Sequence, residues 1–90
     1  MAGKRKAGRP PEKEITRAQE RALVAIDKFI NRFGYPPTIA ELAARLRVAP
    51  PSALALLKHL GRKRLIARKP GKARTIRLLK KGRDIVGSGH

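Results

Sequence analysis

The sequence predicts a mainly helical fold with one small β-hairpin, in the order helix, helix, tight turn, helix, hairpin. Three observations predict it. Two Thr-x-x-Gln/Glu signatures each open a segment whose apolar residues recur at helical spacing. A Pro-Pro pair opens a third such segment, and a Lys-Pro-Gly-Lys stretch separates two short β-like runs. Ninety residues leave room for one small domain with a thin core, plus tails.

The first helix is predicted over 16–33. Thr16 and Gln19 form a capping box, in which each side chain satisfies a backbone N–H that the helix leaves open. Leu23, Ile26, Ile30 and Phe33 form the inner stripe, flanked by Ala22 and Phe29. Arg17, Glu20, Arg21, Asp27, Lys28 and Arg32 fill the other face. Gly34 is placed to end the helix in a left-handed conformation. Tyr35-Pro36-Pro37 then extends the chain, because a residue before proline avoids the helical region.

Thr38 and Glu41 make a second capping box, opening a helix to about Leu46 with Ile39, Leu42, Ala43 and Leu46 inward. Arg47-Val48-Ala49 is a tight turn. Pro50-Pro51 suits the first turn of a third helix, where a missing N–H costs nothing. That helix runs to about Lys63, with Ala53, Leu56, Leu57 and Leu60 inward. Leu65–Arg68 and Thr75–Leu79 read as strands around the turn-forming 69–73 segment. The order is that of a three-helix winged helix-turn-helix over 15–80. Residues 1–14 read as a disordered basic arm and 81–90 as a flexible tail.

Charge narrows the function. Twenty-three Lys and Arg oppose six Asp and Glu, for a net charge of +17. No acid falls between Glu41 and Asp84, while cations run through the whole interval. A merely solvated surface mixes both signs, because unbalanced repulsion works against a compact state. So one-sided a segment calls for a polyanion: DNA, RNA or an anionic membrane surface.

Other classes recede. The absence of Cys removes disulfides and thiolate chemistry. Two histidines cannot alone build a metal site, and no nucleophile–base constellation is visible. Neither an enzyme nor a bound metal, cofactor or small-molecule ligand is expected. No apolar run approaches the roughly 20 residues that span a bilayer, and no secretory signal follows the basic N-terminus, so a cytoplasmic, nucleoid-associated protein is expected.

Two stretches carry a family resemblance. Gly34-Tyr35-Pro36-Pro37-Thr38-Ile39-Ala40-Glu41-Leu42-Ala43 matches a G-x-P-P-T-x-x-E-hydrophobic-Ala motif, and Ala73-Arg74-Thr75-Ile76-Arg77-Leu78-Leu79 is similar to a final wing strand. In this order they resemble the N-terminal DNA-binding domain of the LexA repressor family, across about two-thirds of the chain. The resemblance implies a winged helix that places its third helix in the DNA major groove. That family's self-cleaving peptidase domain is not expected here, since the chain stops before it. Val48-Ala49-Pro50-Pro51-Ser52-Ala53 looks one residue shorter than the family's turn, and Ala and Leu stand where the family has polar base-reading residues, so its operator sequence does not carry over.

On this fold the opening turn of the third helix offers Pro50, Ser52, Leu54 and Ala55 to base edges. Serine bonds several bases with little discrimination, and Ala or Leu can meet a thymine methyl. Arg45, Arg47, Lys58, His59, Arg62, Lys63 and Arg64 are the expected phosphate contacts, which set register without reading sequence. Lys69, Lys72 and Arg74 occupy the wing. In the arm, Lys4, Arg5, Lys6 and Arg9 surround a Gly-Arg-Pro core that resembles an AT-hook, although Ala7 replaces its usual Arg; a plain basic arm is the alternative. Phe29, Phe33 and Tyr35 are expected in the core, which disfavours single-strand recognition by base stacking.

The expected partner is double-stranded DNA, bound by a transcriptional regulator that is a monomer or pairs weakly on its site. A sequence-tolerant architectural protein and a protein-docking winged helix of phage or mobile-element type are the alternatives.

Overall fold

A computed structural model of the chain describes residues 15–88, so the arm cations Lys4, Arg5, Lys6 and Arg9 lie outside the described residues. The elements run α1 (Arg17–Phe33), α2 (Ile39–Leu46), α3 (Pro50–Arg62), β1 (Ile66–Ala67), β2 (Arg77–Leu78) and α4 (Lys80–Ser88).

Both capping boxes form. The Thr16 hydroxyl accepts the Gln19 N–H at 3.0 Å, and the Gln19 side chain accepts the Thr16 N–H at 3.2 Å. Thr38 and Glu41 repeat the exchange at 3.0 and 2.9 Å. α3 opens differently. Its first two residues are prolines with no N–H, and the next two donors, Ser52 and Ala53, both bond the Ala49 carbonyl at 2.9 and 3.2 Å.

The inner stripe of α1 lies slightly to one side of the expected one. Gln19, Ala22, Leu23, Ile26 and Phe29 are buried, Ile30 is half-buried, and Phe33 is exposed. The stripe recurs at three- and four-residue steps from Gln19, and by Phe33 the helix has turned away from the core. Gln19 is a buried polar residue, satisfied by Thr16 and by the Lys63 ammonium at 2.8 Å.

All three leading helices end in a left-handed residue. After α1 it is Gly34 (φ 81°), whose N–H bonds Ile30 O at 2.8 Å. After α2 it is Arg47 (φ 60°), with Arg47 N–H on Ala44 O at 3.2 Å and Val48 N–H on Ala43 O at 3.0 Å. After α3 it is Arg64 (φ 62°), with Arg64 N–H on Gly61 O and Leu65 N–H on Leu60 O, both at 3.0 Å. The last two are Schellman motifs, and buried Leu60 and Leu65 add the apolar contact such ends favour.

β1 and β2 pair antiparallel, Ile66 opposite Leu78 and Ala67 opposite Arg77. The ladder is shorter than the strands expected from sequence, because the Thr75 hydroxyl takes the Lys69 N–H at 2.9 Å and folds the wing on itself. Lys69-Pro70-Gly71-Lys72 closes by a 3.1 Å bond from Lys72 N–H to Lys69 O, with Gly71 at φ 81° as a type II turn requires. One apolar cluster joins the elements: Leu23 and Ile26, Leu42 and Leu46, Leu57 and Leu60, Leu65 and Ile66, Ile76 and Leu78, and Val86. Full burial of each Leu or Ile stabilises by about 1.5–3 kcal/mol.

The expected flexible tail is instead helical: α4 carries the folded unit through residue 88. Gly82, Ile85 and Val86 make a single turn of apolar pattern, too short to stand out, and two glycines weaken helix propensity. Close packing compensates. Gly82 sits so tightly on the Leu65 carbonyl that a side chain there would collide with it, and Val86 is buried in the core. The Leu79 N–H also bonds Leu65 O at 2.9 Å just before α4 begins.

Two glycine substitutions should therefore differ in sign. Gly82→Ala forces α4 off Leu65 and should cost about 1–3 kcal/mol in urea unfolding. Gly61→Ala, on α3 with open space around it, should gain about 0.5–1 kcal/mol. A neutral Gly82→Ala would contradict the packing described.

Candidate nucleic-acid interface

Burial of Ala53, Leu57 and Leu60 fixes the rotation of α3 about its axis. Its outer face then carries Pro50, Ser52 and Ala55, followed by Lys58, His59 and Arg62, all exposed. Leu54 is half-buried, as is Leu56, which packs against the core cluster. The leading half of this face is small and weakly polar, and the trailing half is cationic. His59 Nδ1 lies 3.5 Å from an Arg62 guanidinium nitrogen, which groups the two at the cationic end.

The flanking cations divide into two groups. Arg47, Arg64, Lys69 and Lys72 are exposed at the ends of α2 and α3 and on the wing turn. Lys63, Arg45 and Arg74 are engaged within the fold. Half-buried Lys63 bonds Gln19, tying the end of α3 to the start of α1. The Arg45 guanidinium lies over the rings of Phe29 and Phe33, 5.1 and 5.6 Å from their centroids, and so against α1.

Arg74 is the most heavily engaged of all. It holds both Glu41 carboxylate oxygens at 3.0 Å, donates to Pro36 O at 3.1 Å, and lies 4.6 Å from the centre of the Tyr35 ring. Placed on the wing by the sequence, it also ties the wing to the start of α2. Its backbone is left-handed, with φ 59°. Glu41, expected as a cap, does both jobs. The Arg74 hydrogen bonds, then the Thr38 backbone N–H, hold the Glu41 carboxyl below its ordinary pKa.

The aromatic residues depart from expectation too. Phe29 is buried, but Phe33 and Tyr35 are 40% and 45% exposed. The three rings form a cluster with centroid separations of 4.6, 5.9 and 6.0 Å, and Arg32, Arg45 and Arg74 lie against them. Exposed rings and cations thus do meet on this surface, and the core placement given to all three aromatics holds for Phe29 alone. The four-residue step from Phe29 to Phe33 marked a shared helix face. Arg32 joins it from α1 itself, and Arg45 and Arg74 come from distant segments.

Among the described residues no group of three His, Cys, Asp or Glu side chains is placed to hold a metal ion. No described helix is long and apolar enough to cross a membrane.

A family model described as the LexA DNA binding domain matches residues 12–75, from before α1 to within the wing. The chain belongs to this LexA family. Over 74 residues it is 42% identical to the LexA repressor of Thermotoga maritima, covering 82% of this chain and 38% of that protein. Over 76 residues it is 41% identical to the LexA repressor of Magnetococcus marinus, covering 84% and 33%. The chain therefore spans less than two-fifths of the length of these LexA relatives. Among solved structures, the Staphylococcus aureus MepR–DNA complex is similar with a TM-score of 0.67 at 27% identity, covering 82% of this chain and 53% of MepR. A MarR family protein from Bacillus stearothermophilus gives 0.64 at 29%, covering 82% and 50%. The fold is a winged helix, and β2 and α4 lie beyond the residues that the family model matches.

The Glu41–Arg74 pair makes stability depend on pH with a defined sign. Because the native carboxyl titrates below its unfolded value, the folded state binds fewer protons there and stability rises with pH. The contribution is complete above the ordinary glutamate value of about 4.3 and is lost as pH falls through the lower native value. Glu41→Gln keeps the cap, as Gln19 does in α1, but removes the charge. It should be less stable than the wild type at pH 7 and lose that difference in acid, as read by urea unfolding across pH. A gap that persists in acid would assign the effect to the cap.

Proposed function

We propose that the chain is a duplex-DNA-binding transcriptional regulator that lays the outer face of α3 in the major groove. The observation that carries this reading is the outer side of α3 and its flanks, where Lys58, Arg62, Arg47 and Arg64 are exposed with no acid in the interval from Glu41 to Asp84. Pro50, Ser52 and Ala55 are the base-facing residues, with Leu54 at their edge. Lys58, His59, Arg62, Arg47 and Arg64 meet phosphates. Lys69 and Lys72 on the wing meet the flanking backbone or minor groove, and Arg45 and Lys63 contribute charge from more restrained positions. The names of the LexA repressors and the DNA bound in the MepR complex support the same reading. So does the arm, whose Lys4, Arg5, Lys6 and Arg9 add cations.

Arg74, the third wing cation, adds its charge there and positions the wing through Glu41. The protein acts as a monomer or pairs weakly on its site, without catalytic chemistry, at the nucleoid.

A second reading has its own support. The leading turn of α3 carries no Arg, Asn or Gln for a bidentate base contact, which suits a sequence-tolerant architectural protein. Competition between a selected site and random DNA separates the two. A regulator keeps a preference of about 10³ or more, and an architectural protein keeps little.

Binding of short duplexes measured by fluorescence anisotropy tests both. With six to ten phosphate contacts, affinity should fall by about 10³–10⁵ between 50 and 200 mM salt. A response flat across that range would sink both readings.

A further inference from the structure

Among the described residues three other than glycine hold left-handed backbone, and all three are arginines: Arg47, Arg64 and Arg74. A side chain costs free energy in that conformation because its Cβ crowds the following carbonyl, and glycine escapes the cost. The chain uses glycine for this purpose at the end of α1, where Gly34 takes the left-handed position. At the ends of α2 and α3 the same position falls to Arg47 and Arg64.

Contacts within the fold explain Arg74, which binds Glu41, Pro36 and Tyr35. They do not explain the other two. Arg47 and Arg64 are exposed, and among the described residues neither side chain makes a hydrogen bond, an ion pair or a ring contact; their backbone N–H groups close the Schellman turns, which glycine would do as well. A strained residue with an unpartnered cation points to a partner outside the fold.

Their placement indicates which. Arg47 lies just before α3 and Arg64 just after it, so the 13 residues of that helix, about 20 Å at 1.5 Å per residue, separate them. That distance spans a major groove about 12 Å wide. We propose that Arg47 and Arg64 are phosphate anchors standing at glycine positions, bracketing α3 and gripping the sugar–phosphate backbone on either side of the groove. The assignment rests on the duplex-DNA reading. It adds that these two contacts are held against the stability of the fold, so that stability and affinity trade off at both sites.

The test compares Gly, Ala and Lys at each position, in thermal unfolding and in duplex anisotropy across 50–200 mM salt. Alanine removes the charge and keeps the strain; glycine removes both; lysine removes neither. Each glycine variant should melt roughly 2–4 °C above its alanine counterpart. The slope of log affinity against log salt should shallow by about 0.9 for each anchor lost, in Gly and Ala variants alike. Arg47→Lys and Arg64→Lys should keep the wild-type slope, as should Lys28→Ala on the outer face of α1. If the wild type depends on salt and Arg47→Gly and Arg64→Gly share its slope, the anchors are refuted while the DNA reading stands. Glycine variants that melt below the alanine variants overturn the strain argument. A flat response in the wild type removes the DNA reading itself.

Discussion

Burial of Ala53, Leu57 and Leu60 in the shared core is the constraint from which the rest follows. It sets the rotation of α3, and with it which side chains face outward. Without that fixed rotation the cations of the chain would amount only to a large net charge. With it, Lys58, His59 and Arg62 share one face with Ser52 and Ala55. The apolar contacts do this against opposition, because the described residues include only Glu20, Asp27, Glu41 and Asp84 as acids. Mutual repulsion of the cations weakens the compact state, and an anionic partner would relieve it.

Within that field Glu41 has an influence out of proportion to one charge. It closes the start of α2 through Thr38 and holds Arg74, which also reaches Tyr35 and Pro36. One exposed ion pair is worth little in general. Here it is bidentate and joined to a ring contact and a carbonyl, so it fixes a direction for the wing rather than simply adding attraction.

Most of the fold was readable from local chemistry. The two capping boxes, Gly34, the paired prolines and the Lys-Pro-Gly-Lys turn each act within four residues, and each sits where the sequence put it. The misses involve partners distant in the chain. Gly82 reads as a helix breaker until the Leu65 carbonyl is seen against it. Arg74 reads as one more wing cation until Glu41, 33 residues earlier, comes within reach. The ring faces of α1 beneath Arg45 were likewise not legible, since they lie a dozen or more residues earlier in the chain. The outward placement of Pro50, Ser52 and Ala55 follows from helical phase alone, and these three are exposed while Leu54 is half-buried.

The paired prolines that open α3 bear on how firmly such a helix can be seated. A helix usually presents several unbonded N–H groups at its start, aimed along the axis and able to hold an anion at a defined spot. Here Pro50 and Pro51 have none, and the Ser52 N–H is already bonded to Ala49 O. On the DNA reading, the nose of α3 has little main chain with which to latch onto the strand. Grip would then fall to long side chains such as Lys58 and Arg62, which hold a phosphate without fixing the helix as firmly.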